Sequence, residues 1–142
     1  MNEQDTIKTI FKMKTIAVVG LSPKPVRPSH SVAKYLQSVG YKIIPINPGH
    51  PKILGEKSYP TLRDIPEEVD IVDVFRKPEH VMPITEAAIE IGAQAIWFQD
   101  GVINREAAML AEEAGLLVVM DDCMLRQHQA IDDPNYAPHC EI

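Results

Sequence analysis

No apolar run in the 142-residue chain approaches the roughly 18 residues that cross a membrane. The opening residues, MNEQDTIKT, lack the apolar centre of a secretory signal. No membrane partner and a cytoplasmic location follow as expectations. Cysteine is scarce: Cys123 and Cys140 form no C-x-x-C pair, and no histidine stands at a zinc-like spacing from them, so no metal site is expected. The G-x-S-x-G elbow, H-E-x-x-H and Walker A patterns are all missing. No basic block offsets the net charge of −6, which argues against a general nucleic-acid binder. A local basic pocket for a phosphorylated small molecule remains compatible with that charge. The five histidines, His30, His50, His80, His128 and His139, scatter over expected loops and helix ends and read as surface residues. There is no internal repeat and no low-complexity segment.

What is present is an ordinary globule, 45% apolar and 24% charged. A chain of this length is expected to form one domain, residues 1–142, burying roughly two thirds of its unfolded surface. Its organising stretch is TIAVVGLSPKPVRPSHS, residues 15–31. Four consecutive apolar residues, Ile16 to Val19, predict a strand buried on both faces, as in a parallel sheet. Gly20 turns the chain, and Ser29 or Ser31 can cap a helix carrying Val32, Leu36 and Val39 and closed by Gly40. Strand, glycine turn and helix start make a candidate phosphate cradle, where free N–H groups and the helix dipole converge. The cradle is not the G-x-G-x-x-G fingerprint, because Gly20 is its only glycine. The loop is stiffened by Pro23, Pro25 and Pro28 and made basic by Lys24 and Arg27. The competing reading is a solvated loop that merely joins strand to helix.

Further along, residues 3–13 predict an amphipathic helix through Ile7, Ile10 and Phe11. Residues 41–46 predict a second strand ending at Asn47-Pro48-Gly49. At this tip a dinucleotide-binding unit usually carries an acid for the ribose hydroxyls, and Asn47 supplies none. Asn-Pro-Gly is also simply a good turn. Residues 50–60 read as irregular, with a brief strand at 57–59, and residues 62–65 as one helical turn. A strand over 70–75 delivers Arg76-Lys77-Pro78. A helix follows through Val81, Ile84, Ala88 and Ile91, with Pro83 tolerable only in its first turn. A strand over 95–98 ends at Gln99-Asp100-Gly101. Asn104 then caps a helix running to 113 or 114 and stopped by Gly115. The last strand, 116–120, ends at Asp121-Asp122-Cys123. Beyond it, a short helical turn and a surface tail are expected.

Strands alternating with helices predict a mostly parallel, doubly wound α/β sheet with helices on both faces. In such sheets ligands sit at the carboxyl ends of the strands, near the switch in strand order. The polar and unusual residues of this chain fall at that edge.

Six pieces then become recognisable in order: IAVVGLSPKPVRPSHSVAKYL, GYKIIPINP, ILGEKSYPTL, VDIVDVFRKPEHV, AIWFQDGVIN and AGLLVVMDDC. From about residue 13 to 123 the chain resembles the small stand-alone CoA-binding domain proteins, related to the N-terminal domain of the succinyl-CoA synthetase alpha subunit. The resemblance implies a single Rossmann-like domain holding coenzyme A across its strand tips, with residues 3–13 as a leading helix and 124–142 as a tail. It sets Gly20, Leu21, Ser22, Lys24, Arg27 and Ser29 toward the phosphates, and Asn47 and Pro48 by the adenosine. Phe75, Arg76 and Pro78 wall the cleft, Gln99 and Gly101 approach the pantetheine, and Cys123 lies near its thiol. Two departures matter. Asp122 stands where the family often has a basic residue, and the chain ends before the second domain that carries a phosphorylated histidine in the synthetases. Synthetase activity is therefore not implied.

No nucleophile–base pair can be named, and adjacent Asp121 and Asp122 point to opposite sides of an extended backbone. The favoured reading is a non-enzymatic binder of CoA or acyl-CoA, acting as a carrier or as a redox or metabolite sensor. In the redox version Cys123 forms a mixed disulfide with CoA; the plainer alternative is that it fills space. The competing reading is an NAD(P)-binding oxidoreductase or redox regulator, since fold alone does not fix function. The residues name no protein partner and leave homo-oligomerisation open.

Overall fold

The computed structural model describes residues 1–131. A run of four apolar residues cannot alternate between core and solvent, and β1 (Thr15–Val19) is accordingly buried on both faces from Ile16 onward. The same holds for most of β2 (Lys42–Ile46). A small antiparallel hairpin comes next, β3 (Lys52–Ile53) with β4 (Glu56–Lys57). Then come β5 (Ile71–Val74), β6 (Ala95–Phe98) and β7 (Leu117–Met120). The five longer strands form one all-parallel sheet in the order β2-β1-β5-β6-β7. Side chains alternate between two cores. Ile16, Val18, Ile71 and Trp97 face α1 (Gln4–Phe11), α2 (Pro28–Ser38) and α5 (Met124–Ala130). Ala17, Val19, Val72 and Phe98 face α3 (Val81–Glu90) and α4 (Arg105–Glu113). This is the doubly wound, Rossmann-like α/β arrangement expected from the alternation. Strand order reverses between β1 and β5, so the chain leaves their two tips in opposite directions.

The opposite end of the sheet is tied by Asp70, whose Oδ2 accepts from the Lys14 and Thr15 amides at 3.1 and 3.0 Å while Oδ1 accepts from Gln94. Both outer edges are blunted. The Asn2 side chain pairs with the N–H and C=O of Met120 on β7, at 2.9 and 2.7 Å. Tyr59 makes a parallel bridge with Ile46 on β2. As an edge strand, β2 also tolerates Pro45. No helix among the described residues is long and apolar enough to cross a membrane.

Three expectations need correction. Neither Ser29 nor Ser31 caps α2: the N-cap is Arg27 and the helix starts at Pro28, whose fixed φ suits the first position and whose missing N–H costs nothing there. The brief strand expected at 57–59 is instead half of the β3–β4 hairpin, closed by Leu54 (φ +56°) and Gly55 (φ +78°). The short turn expected after Cys123 is the two-turn helix α5, and the tail beyond residue 131, with His139 and Cys140, lies outside the described residues. Elsewhere the expected elements stand. Pro83 occupies the third position of α3, where no preceding turn needs its N–H. Asn104 caps α4 by accepting from Ala107 N–H at 3.0 Å.

Asn104 also donates to the Pro78 carbonyl at 3.1 Å, so it joins the starts of α3 and α4. Replacing it (Asn104→Ala) removes a cap and a tertiary bond, and stability in urea is expected to fall by about 1–2 kcal/mol with an unchanged slope. An unaltered midpoint would mean that solvent replaces both bonds at no cost.

Candidate functional site

The site grows from the tips of β1 and β5. Gly20 has φ +86°, and a Cβ there would stand 2.3 Å from the Phe75 carbonyl oxygen, so only glycine lets the two tips meet. Beyond Gly20 the loop is knotted to itself. Ser29 Oγ accepts from Ser22 N–H at 3.0 Å, and Ser22 Oγ accepts from Lys24 N–H at 3.1 Å. Gly20 N–H is spent on the Ile46 carbonyl. With Pro28 at the first helical position, the cradle of free amides expected from the sequence is largely used internally. Buried Ser29 acts as a brace for the loop rather than as a cap. Leu21 is fully buried in the core beneath α2, so its side chain lies away from the cleft.

At the tip of β2, both ends of the Asn47 amide are occupied. Nδ2 donates to the Leu21 carbonyl at 3.0 Å, and Oδ1 accepts from Gly49 N–H at 2.8 Å. Asn47 therefore forms an Asx-turn and pins the β2 tip to the β1 loop. The turn reading of Asn-Pro-Gly is correct, and no carboxylate stands there. At the tip of β5, Phe75, Arg76 and Pro78 form the facing wall.

The far wall comes from the tips of β6 and β7 and the start of α5, with Gln99, Gly101 and Cys123. Asp121, in the left-handed region at φ +61°, accepts from Gly101 N–H at 2.8 Å and joins the two tips. Asp122 accepts from the Cys123 amide, Arg126 and Gln127, and Arg126 also forks onto Asp100 at 3.0 and 3.1 Å. These partners hold the Arg126 guanidinium above its ordinary value, chiefly through the bond to Asp100. Cys123 is half-buried at the cleft.

Behind this wall lies a residue that sequence reasoning misses. Asp73 sits in the middle of β5, wholly buried among apolar neighbours. One oxygen accepts from Gln99 Nε2; the other has no hydrogen-bond partner among the described residues. Burial pushes its carboxyl up to about 7, against the opposing effect of the Gln99 bond. Its signal in the sequence is a charge inside an otherwise apolar strand, DIVDVF.

Together these tips enclose a cleft of about 890 Å³, within the ordinary size of small-molecule sites. Every residue expected at the site except Leu21 lines it. Four exposed cations, Lys24, Arg27, Arg76 and Lys77, surround it, and none forms an ion pair with a described residue. His50 and Lys77 line it as well, although His50 reads as plain surface in the sequence. His128, also expected at the surface, is instead packed edge-on against Phe11, Tyr35 and Tyr41, with Nδ1 2.7 Å from the Tyr35 hydroxyl.

Comparison with known proteins adds four findings. A model of the CoA binding domain family matches residues 14–129. The uncharacterised protein YneT of Bacillus subtilis is 43% identical over 123 residues, 86% of this chain and 91% of YneT. The solved structure of a hypothetical protein from Pyrococcus horikoshii has a TM-score of 0.87 at 43% identity, over 92% of each chain. The ADP-forming acetate–CoA ligase II of Archaeoglobus fulgidus is 35% identical over 79 residues, which are 54% of this chain but 12% of the ligase.

The buried acid makes a prediction of its own. A carboxyl raised from its ordinary value to about 7 binds a proton more tightly in the folded chain than in the unfolded one. Its contribution to stability is complete below pH of about 4 and is lost as pH rises through about 7. Asp73→Asn carries no charge, so thermal melts should show the variant gaining on the native protein from pH 5 to pH 8. A constant gap between the two would refute the assignment.

Proposed function

Because the chain belongs to the CoA binding domain family, we propose that it binds coenzyme A, free or acylated, across the tips of the parallel strands. The observation that carries this reading is the distribution of charge about the cleft. The chain has a net charge of −6, yet the cations bordering the β1 and β5 tips, Lys24, Arg27, Arg76 and Lys77, have no acidic partner among the described residues. Unpaired cations held around a rigid loop suit a ligand carrying several phosphates. In this reading Gly20, Ser22, Lys24, Arg27 and Ser29 border the phosphates, and Asn47 and Pro48 lie beside the adenosine. Phe75, Arg76 and Pro78 wall the middle, while Gln99, Gly101 and Cys123 meet the pantetheine arm.

Holding rather than turnover is the favoured role, as a carrier or as a sensor of the CoA pool. The carboxylates at the far end support it: Asp100, Asp121 and Asp122 are each engaged in hydrogen bonds with neighbouring groups. A carboxylate so occupied makes a poor general base. NAD is disfavoured by Asn47, whose amide is consumed by backbone partners where a ribose-binding acid would stand.

Calorimetry with CoA, dephospho-CoA, NAD and NADP tests the reading: CoA is expected to bind tightest, and tighter binding of NAD would sink it. Among the cations, Arg27 is expected to matter more than Lys24, since a guanidinium fork meets phosphate through two bonds and an ammonium through a point charge. Arg27→Ala should weaken CoA binding by roughly 1.5–3 kcal/mol and flatten its salt dependence. Equal affinity in Arg27→Ala and the native chain would return the loop to a connecting role.

A further inference from the structure

Resting on the CoA reading above, we propose that Asp73 is a positioning residue for the thiol end of the ligand, acting through Gln99 to fix the wall that the pantetheine arm packs against. The position of Asp73 argues for a task beyond packing. In register it lies beside Val18 on β1 and Trp97 on β6, facing the core shared by α1, α2 and α5. A valine or isoleucine would fill such a place at no electrostatic cost. A carboxyl there loses its hydration and regains one bond, with its second oxygen left without a partner among the described residues.

What that cost secures is the orientation of one amide. Gln99, itself only 3% exposed, donates through Nε2 to Asp73 and accepts through Oε1 from the Met124 N–H at 3.4 Å. Met124 is the first residue of α5 and comes directly after Cys123. One buried carboxyl is thus linked by a single side chain to the β6 tip and the start of α5, which together make the far wall. The outer rim of that wall is fixed separately, by Arg126 on Asp100 and Asp122. Inside, the Gln99 amide depends on Asp73.

The link carries a signature that ordinary packing lacks. Ionised Asp73 is a charge in an apolar core, and neutral Asp73 is not, so the two forms hold Gln99 differently. With the carboxyl raised to about 7, both forms are populated near neutral pH. The surrounding elements carry other titratable groups. These are Asp5 and Lys8 on α1, His30, Lys34 and Tyr35 on α2, Asp122 and Cys123 ahead of α5, Arg126 and His128 on it, and Arg76 beyond β5. None of them acts on Asp73, whose shift comes from burial and from Gln99 alone. The flanking strands place only Val18 and Trp97 beside it.

The test compares two ligands on the full chain: CoA, and the terminal methyl ester of adenosine 3′-phosphate 5′-diphosphate, which has the nucleotide and the same esterified diphosphate but no pantetheine. Titration of shared phosphates and of the rim cations cancels in the ratio of their affinities. In the native protein that ratio should rise several-fold, up to about tenfold, between about pH 6 and 8, because ionised Asp73 holds Gln99 Nε2 by a charge-assisted bond. In Asp73→Asn, which keeps the shape and an acceptor for Gln99, the ratio should not change with pH. In Asp73→Val, CoA should weaken by about tenfold at every pH while the pantetheine-free analogue binds as before. A ratio independent of pH in the native protein overturns the proposal, as does parallel loss of both ligands in the variants, which would mark Asp73 as structural only. If neither ligand binds the native protein, the CoA reading itself falls and this inference with it.

Discussion

The cleft depends on one close approach. The β1 tip must turn away beneath the carbonyl of Phe75, at a distance that leaves no space for a Cβ on Gly20 and in a conformation that side chains resist. Because the two tips touch, the chain leaving β1 is forced outward into the proline-rich loop and returns as α2 on one face. The chain leaving β5 goes to α3 on the other. The space between them is a consequence of the reversal in strand order, with no catalytic purpose needed to account for it. A glycine-poor loop serves because the sharp turn is made once, at Gly20. Pro23, Pro25 and Pro28 then hold an open path at small entropic cost.

Charge is sorted along this opening. At the β1–β5 end the backbone amides are largely consumed within the loop, and the cations around them are unpaired among the described residues. At the β6–β7 end the reverse holds: Asp100 and Asp122 share Arg126, and Asp121 accepts from a backbone N–H. Unpaired cations at one end and hydrogen-bonded carboxylates at the other suit a molecule with a polyanionic head and a neutral arm. A ligand charged throughout would meet no complementary group at the far wall. The loop also works by mobile side-chain charge more than by fixed amides. Its affinity should therefore be more sensitive to salt than that of a glycine-rich cradle.

The strands are legible because each is a short unbroken apolar run, and the helices because glycine and asparagine mark their ends. Asn104 and Gly115 bracket α4 as expected. Most of the site comes with them, since a parallel sheet brings its strand tips to one edge whatever the loops contain. Leu21 is misplaced by sequence because contiguity with Gly20 says nothing of side-chain direction; one residue past the turn, the chain already points into the core. Ser29 looks like a cap because its hydroxyl is of the right kind, but Pro28 claims the first helical position. His50 and His128 show the limit of reading polar residues singly. One is brought to the cleft by the turn at Asn47, and the other is enclosed by Phe11, Tyr35 and Tyr41, which are far from it in sequence. Asp73 escapes notice because the run at 70–75 is read as a strand from its apolar majority, and the acid within it is passed over.

The same burial explains why α5 differs from the other helices. It is seven residues long, too short to persist by its own hydrogen bonds, and only Met124 and Gln127 are buried beneath it. α1 and α2 are fastened by aliphatic side chains such as Ile7, Ile10, Val32 and Leu36. α5 is fastened mostly by polar contacts, from Gln127 to Asp122, Arg126 to Asp100, and His128 to Tyr35. Water can replace such bonds more cheaply than it can wet an aliphatic core, and regions held this way lie toward the low-stability end of a fold. The wall that carries Cys123 is therefore held by polar contacts as well as by the buried Met124. A ligand that fills the cleft against that wall stabilises α5 as much as α5 retains the ligand, since the two equilibria are linked. The phosphate end, braced by prolines and serine bonds, needs no such help. Rigid recognition at one end arises where the strand order switches, and a responsive wall at the other arises because the last strand runs into a short, polar-held helix.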